Sequence, residues 1–372
     1  MPTGQRANGA TTMTAAERFL ACMRYQSVDR PVLQEWGPWP TTLRRWQGEG
    51  LGAGNLPPQF AECDLQTRAG IDLWFQPPFE AKVLSENETS RVEIIDRGIV
   101  QRVWKTNSET SMPEFLEHPV KTRADWDALK PRLDPDASGR FPADWDERCR
   151  QWREQGTVVI FQGPRAPSLF GFVRELMGAE RALCAMLDEP GMVHEMMDTV
   201  TELTLGVLRT VLPQRVITVL HFWEDMCYKA GPLLSPAMFR EFMIPRYQRV
   251  TDYARSQGID VIFVDSDGNV EQLLPLWLEA GVNGVYPMEV AAGMDVVDLR
   301  KRYGRDLLMT GGLDKRVLTK DKAAIDAELE RKVPLAHEGG YVPTIDHAIP
   351  FDVPYDNFAY YWERKKELLG IG

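Results

Sequence analysis

Short runs rich in β-branched and aromatic residues recur at residues 31–35, 71–75, 158–162, 216–222, 261–265, 284–287, 306–310 and 340–343. Stretches of helical spacing separate most of them. Residues 235–255 show the helical pattern well. Ser235 can cap, Pro236 takes the first helical position, and Phe239, Phe242, Met243, Tyr247 and Val250 fall on one face. Further helices are predicted over 15–24, 270–280, 295–303 and 322–336. Eight strands alternating with helices predict an α/β chain folded as a (β/α)8 TIM barrel, because a right-handed helical crossover returns the chain to each next parallel strand.

The alternation is interrupted between the second and third strands. Residues 79–155 carry a predicted hairpin, 92–95 and 99–103 around Asp96-Arg97-Gly98, and a Trp- and Pro-rich region, and read as an insertion. Residues 1–13 read as a disordered lead, and 14–372 as a single barrel domain with that insertion.

Composition narrows the function classes. The net charge of −11 disfavours cationic nucleic-acid binding. No apolar run is long enough to cross a bilayer and the first residues hold no apolar signal core, so a cytoplasmic, non-membrane protein is expected. Five cysteines without a C-x-x-C pair suit reduced, packed thiols. Eleven tryptophans are many for this length; Trp36 and Trp39 lie where flat side chains can line a ligand pocket, although any one Trp reads equally well as core.

In a barrel of this kind the reactive groups project from the C-terminal ends of strands. The endings here are Glu224-Asp225-Met226, Asp265-Ser266-Asp267-Gly268, Met288-Glu289 and Asp346-His347. Asp265, Asp267, Glu289 and His347 are then expected to converge on one mouth. Three carboxylates around one imidazole repel one another, and either bound protons or a divalent metal, zinc with manganese or iron(II) as alternatives, relieves that repulsion. Taken alone, Asp265-Ser266-Asp267-Gly268 reads better as a polar turn with a helix cap. A calcium loop is excluded, since Val270 stands where glycine is required and Leu276 where the bidentate glutamate belongs. Gly311 and Gly312 can present backbone N–H groups to an anion, while Asp314 and Lys315 read as a surface pair. Asp225, Tyr228 and Lys229 supply acid/base and anion-binding types within one short segment.

Three groups of residues carry a family resemblance: Glu17-Arg18-Phe19-Leu20 with Val28-Asp29-Arg30-Pro31; Leu234-Ser235-Pro236 with Phe239-Arg240-Glu241-Phe242 and Pro245; and Gly339-Gly340-Tyr341 through Pro354-Tyr355-Asp356-Asn357-Phe358. Together they resemble the uroporphyrinogen decarboxylase superfamily, which also holds zinc-dependent methyltransferases acting with corrinoid proteins. The resemblance implies a (β/α)8 body. The decarboxylase's Arg-rich segment and its pyrrole-contacting Asp are missing here, replaced by Gln34-Glu35-Trp36-Gly37-Pro38-Trp39 and Phe75-Gln76-Pro77-Pro78. The methyltransferase zinc ligands fall at Asp265, Asp267 and His347, and methionine-synthase relatives add a glutamate at Glu289.

The resemblance thus implies a metal-dependent methyltransferase or demethylase. Its expected partners are a small-molecule methyl donor or acceptor, a corrinoid protein and a second copy in a homodimer. His347 and Asp225 are then the proton-handling groups, with Tyr228 and Lys229 orienting. The alternatives are a carboxy-lyase that moves protons without metal and a non-catalytic tetrapyrrole- or corrinoid-binding barrel. Carboxylates in place of thiolates make a harder centre, better suited to polarising oxygen than to activating a thiol.

Overall fold

The computed structural model of the chain describes residues 12–52, 56–106 and 112–372. Among them, seven parallel strands pair in chain order: β1 (Gln66–Arg68), β2 (Val158–Phe161), β3 (Val219–Trp223), β4 (Ile262–Asp265), β5 (Gly284–Tyr286), β6 (Leu308–Leu313) and β7 (Tyr341–Ile345). The sheet curls until residues from all seven strands line one cavity. Period-two alternation explains the curl. On β4, Ile262 and Val264 face outward into the main core, whereas Phe263 joins an inner cluster with Val158, Val219, Leu308 and Val342. Phe19 belongs to that inner cluster too. It comes from α1 (Ala15–Met23), begun by a capping box in which the Thr14 hydroxyl accepts from the Glu17 N–H and the Glu17 carboxylate accepts from the Thr14 N–H.

Six of the eight predicted strands form the parallel sheet, and the other two expectations are corrected. Residues 71–75 are not a strand; Ile71, Leu73 and Phe75 are buried core residues of an irregular segment. The strand that does form, β1, is polar and largely exposed: Gln66 and Arg68, opposite Val158 and Ile160, share the cavity face, and Thr67 alternates to the other side. Residues 31–35 make no ladder. They run between the two edges of the sheet, and side-chain carboxylates hold them there.

On the β1 side, Leu33 donates its N–H to Asp64 Oδ2 at 2.9 Å and accepts at its carbonyl from the Asp64 N–H at 2.8 Å. Arg18 and Arg30 compensate Asp64. On the β7 side, Glu35 Oε1 accepts the N–H of Ile345 at 2.9 Å and of its own neighbour Trp36 at 2.9 Å. Lys365 donates to Glu35 Oε2 at 2.6 Å and to the Gln34 carbonyl at 2.8 Å, and Tyr361 adds its hydroxyl to the same carboxylate. Both charged side chains are wholly buried. The seam is therefore closed by a buried ion pair instead of a strand ladder.

Between β1 and β2 the insertion folds as a four-stranded antiparallel sheet (Lys82–Glu86, Ser90–Ile94, Val100–Trp104, Glu114–Glu117) followed by helices Arg123–Leu129 and Trp145–Gln155. The predicted hairpin is present, with Ile94 opposite Val100. The single helix expected over 235–255 is instead two, Pro236–Phe242 and Ile244–Ser256, broken at Met243. Pro245 has no N–H to continue the ladder. Most of the predicted lead, residues 1–11, lies outside the described residues. No described helix is long and apolar enough to cross a membrane.

Replacing Lys365 by Met leaves Glu35 buried and uncompensated. A loss of roughly 3–5 kcal/mol of unfolding free energy is expected, read from the urea midpoint. Pairing it with Glu35→Gln should recover part of that loss.

Candidate active site

The strand ends build two layers. The outer layer is a rim of charge. Asp346, wholly buried, accepts the N–H of Val290 at 2.9 Å and of Lys315 at 3.2 Å. Glu289 accepts the N–H of Gly268 at 2.9 Å. Between these carboxylates stands the Lys315 ammonium, 3.6 Å from Glu289 and 3.7 Å from Asp346. The expected surface pair of Asp314 with Lys315 is not formed: Asp314 holds Arg316 at 2.8 Å, which frees Lys315 to turn inward.

Asp267 also belongs to the rim. Although 41% of its side chain still meets solvent, enclosure by the mouth and then the charges of Asp225 and Glu289 push its carboxyl up to about 7. His347 Nε2 lies 3.9 Å from Asp267 Oδ2. The imidazole is stacked on Trp36 (centroids 5.4 Å apart) and on Trp39 (6.2 Å), so the two tryptophans predicted to line a pocket grip the histidine. Burial, with the nearby Lys315 charge adding to it, lowers the pKa of His347.

Asp225, Tyr228 and Lys229 line a surface cavity of about 290 Å³ beside Asp267 and Glu289. Asp225 is paired with Arg174 at 3.2 Å, and Tyr228 and Lys229 are exposed on a short hairpin, Cys227–Tyr228 with Gly231–Pro232. The preceding residue, Glu224, is structural. Fully buried, it accepts the N–H groups of Leu169 (2.8 Å) and Gly171 (2.9 Å) and the Tyr247 hydroxyl (2.7 Å).

Gly311 and Gly312 serve packing rather than anion binding. The Gly312 N–H is donated to the Pro287 carbonyl at 3.0 Å, and a Cβ on Gly311 would stand 1.8 Å from the same oxygen.

The inner layer was not foreseen from the sequence. Asp265 points into the curl and meets Tyr286, whose hydroxyl also lies 3.3 Å from Gln162 Nε2 and 3.3 Å from His221 Nδ1. Burial first, then the Asp267 charge, pushes the Asp265 carboxyl up to about 8, so it carries its proton at neutral pH. Burial drives His221 down to about 3, with the charge of Arg68 assisting, so this imidazole stays neutral. The overlooked signal was period two: His221 is a polar residue in the middle of an apolar strand, and Tyr286 shares the inward face with Gly284.

The predicted metal ligands therefore divide. Asp267, Glu289 and His347 stand at the rim with Lys315 among their neighbours, and Asp265 turns inward to Tyr286. Among the described residues no group of three or more His, Cys, Asp or Glu side chains is gathered so as to hold a metal ion. The donor set does not fit a divalent metal in this arrangement, because a lysine supplies the positive charge.

A curled parallel sheet with acid/base groups at the C-terminal strand ends is the arrangement in which α/β barrel enzymes build their sites. The profile of the family Uroporphyrinogen decarboxylase (URO-D) matches residues 103–368, and the chain belongs to that family. Its sequence is 24% identical over 263 residues to the uroporphyrinogen decarboxylase of Microcystis aeruginosa, covering 68% of this chain and 71% of that protein. The decarboxylase of Trichormus variabilis is 25% identical over 264 residues, again 68% and 71%. Among solved structures, a methyltransferase from Methanosarcina mazei superposes with a TM-score of 0.58 at 16% identity, over 95% of this chain and 99% of that one, a likeness of fold.

Lys315→Met removes a cation that lowers Asp267. The Asp267 titration should then move further above 7, followed by carboxyl carbon NMR; an unchanged midpoint would show that the ammonium does not reach it.

Proposed function

We propose that the chain is a metal-independent carboxy-lyase-like enzyme that exchanges a carboxyl group for a proton on a small substrate held inside the curl. The observation that carries this reading is Asp265, a carboxyl kept protonated by burial at a strand end, beside the Tyr286 hydroxyl. Breaking the C–C bond releases CO2 and leaves the electron pair on carbon. The Asp265 O–H bond then breaks, its proton forms the new C–H bond, and the aspartate recovers a proton from water. Tyr286, joined to Gln162 and His221, orients that carboxyl and relays its charge. The names of the related decarboxylases agree with this reaction class.

Crowding at the rim favours a second reading. Asp267, Glu289 and His347, with Asp265 turned outward, would hold zinc, manganese or iron while a methyl group passes between a small substrate and a corrinoid protein. This requires Lys315 to withdraw from Glu289, and it accords with the name of the Methanosarcina mazei neighbour.

Candidate carboxylic acids should be screened for CO2 release with a chelator present. The release should persist, fall by roughly 10²–10⁴ in Asp265→Asn, and decline above pH 8 as the acid form of Asp265 is lost. Activity that disappears with chelator and returns with zinc, or methyl transfer to cobalamin without CO2 release, would replace this reading with the second.

A further inference from the structure

The cavity inside the curl has a volume of about 310 Å³. That is at the small end of ligand sites, roughly 300–1,000 Å³, and too small for a four-ring macrocycle. Its lower wall is apolar, with Phe19, Val158, Val219 and Phe263; Trp36 and Tyr286 add flat faces above. Into this space β1 delivers Arg68. The Arg68 charge acts on His221, Asp265 and Tyr286, which belong to three other strands that line the same cavity or end beside it.

Arg68 is exposed where it lines the cavity, and among the described residues neither a carboxylate nor a hydrogen-bond acceptor pairs with its side chain. The acid among the described lining residues, Glu35, is already engaged by Lys365, Tyr361 and two backbone N–H groups. A solvent-accessible guanidinium on the wall of a largely apolar cavity, with no carboxylate of the protein beside it, is open to a ligand carboxylate, which its fork matches with two parallel hydrogen bonds.

We infer that Arg68 anchors a carboxylate of a small, flat, mostly apolar substrate, and so sets which molecules enter the curl. Resting on the lyase reading above, the anchored group is not the one that leaves. Pairing with Arg68 stabilises a carboxylate in the starting state and so opposes its departure. The reacting carboxyl is a second one, placed at Asp265 and Tyr286, and the substrate class is a small dicarboxylic acid with an aromatic or unsaturated body. Thr310, on one of the strands that complete the lining, supplies a hydroxyl to orient it.

Titration calorimetry with benzoate and with benzamide, its uncharged counterpart of the same size, tests the anchor without turnover. The full chain should bind benzoate at least tenfold more tightly than benzamide. Arg68→Gln should abolish that preference, Arg68→Lys should restore part of it, and Asp265→Asn should keep it, with circular dichroism confirming each variant folded. Equal binding of the two probes, no binding of benzoate, or a preference that survives in Arg68→Gln overturns the inference; the probe comparison in the unmodified chain needs no variant to fold. A preference that depends on Arg68 alongside a failed CO2 assay keeps the anchor and removes the lyase reading, whereas CO2 release without the preference does the reverse.

Discussion

The seam between the two edges of the curled sheet is the constraint on which the site depends. Seven strands pair in order, and the eighth position is occupied by a segment without a ladder. Backbone groups there still need partners, and Asp64 and Glu35 supply them. A carboxylate can accept several N–H groups, but only if its charge is met inside the protein. Lys365 meets that of Glu35, and Arg18 with Arg30 meets that of Asp64. Holding residues 33–36 in this way places Trp36 against both Tyr286 and His347. One ring thus links the inner layer to the rim.

Charge in the mouth is managed by two different devices. At the rim, carboxylates remain near one another because Lys315 and backbone N–H groups lie between them. Deeper in, where no cation pairs with Asp265, the cost of burying charge is avoided by retaining a proton. The first device makes a polar collar and the second stores an acid beside a cavity. The same sequence pattern, Asp265-Ser266-Asp267, feeds both: Asp265 ends β4 and Asp267 follows at the rim, while the Ser266 hydroxyl between them accepts the Met226 N–H and donates to the Asp267 carbonyl.

Arg68 connects these features to recognition. The strand that bears it is short and polar, and it borders the unladdered seam, where residues 34–37 and 66–68 together wall the cavity. A fully laddered edge with apolar inward residues would fill this space with side chains, as small barrels do. Leaving the seam to side-chain carboxylates keeps room for a ligand.

Patterning along the chain was sufficient for the alternation of strands and helices, for the hairpin in the insertion and for the polar groups that close each strand, because burial of two sheet faces imposes period two and helical crossovers impose period 3.6. It was insufficient for β1, whose polar residues face a cavity, and for the apolar run 71–75, which satisfies its hydrophobicity in an irregular core segment. The polar residues that end each predicted strand likewise put Asp265, Asp267, Glu289 and His347 near one mouth. Whether such groups share a metal, a lysine or a proton depends on where neighbouring side chains turn. That is decided by Asp314 engaging Arg316, which leaves Lys315 for the rim, and by Tyr286, which draws Asp265 inward. One is a contact within a single turn and the other lies between adjacent strands, but which partner each side chain takes is set by how the strands pack around the mouth.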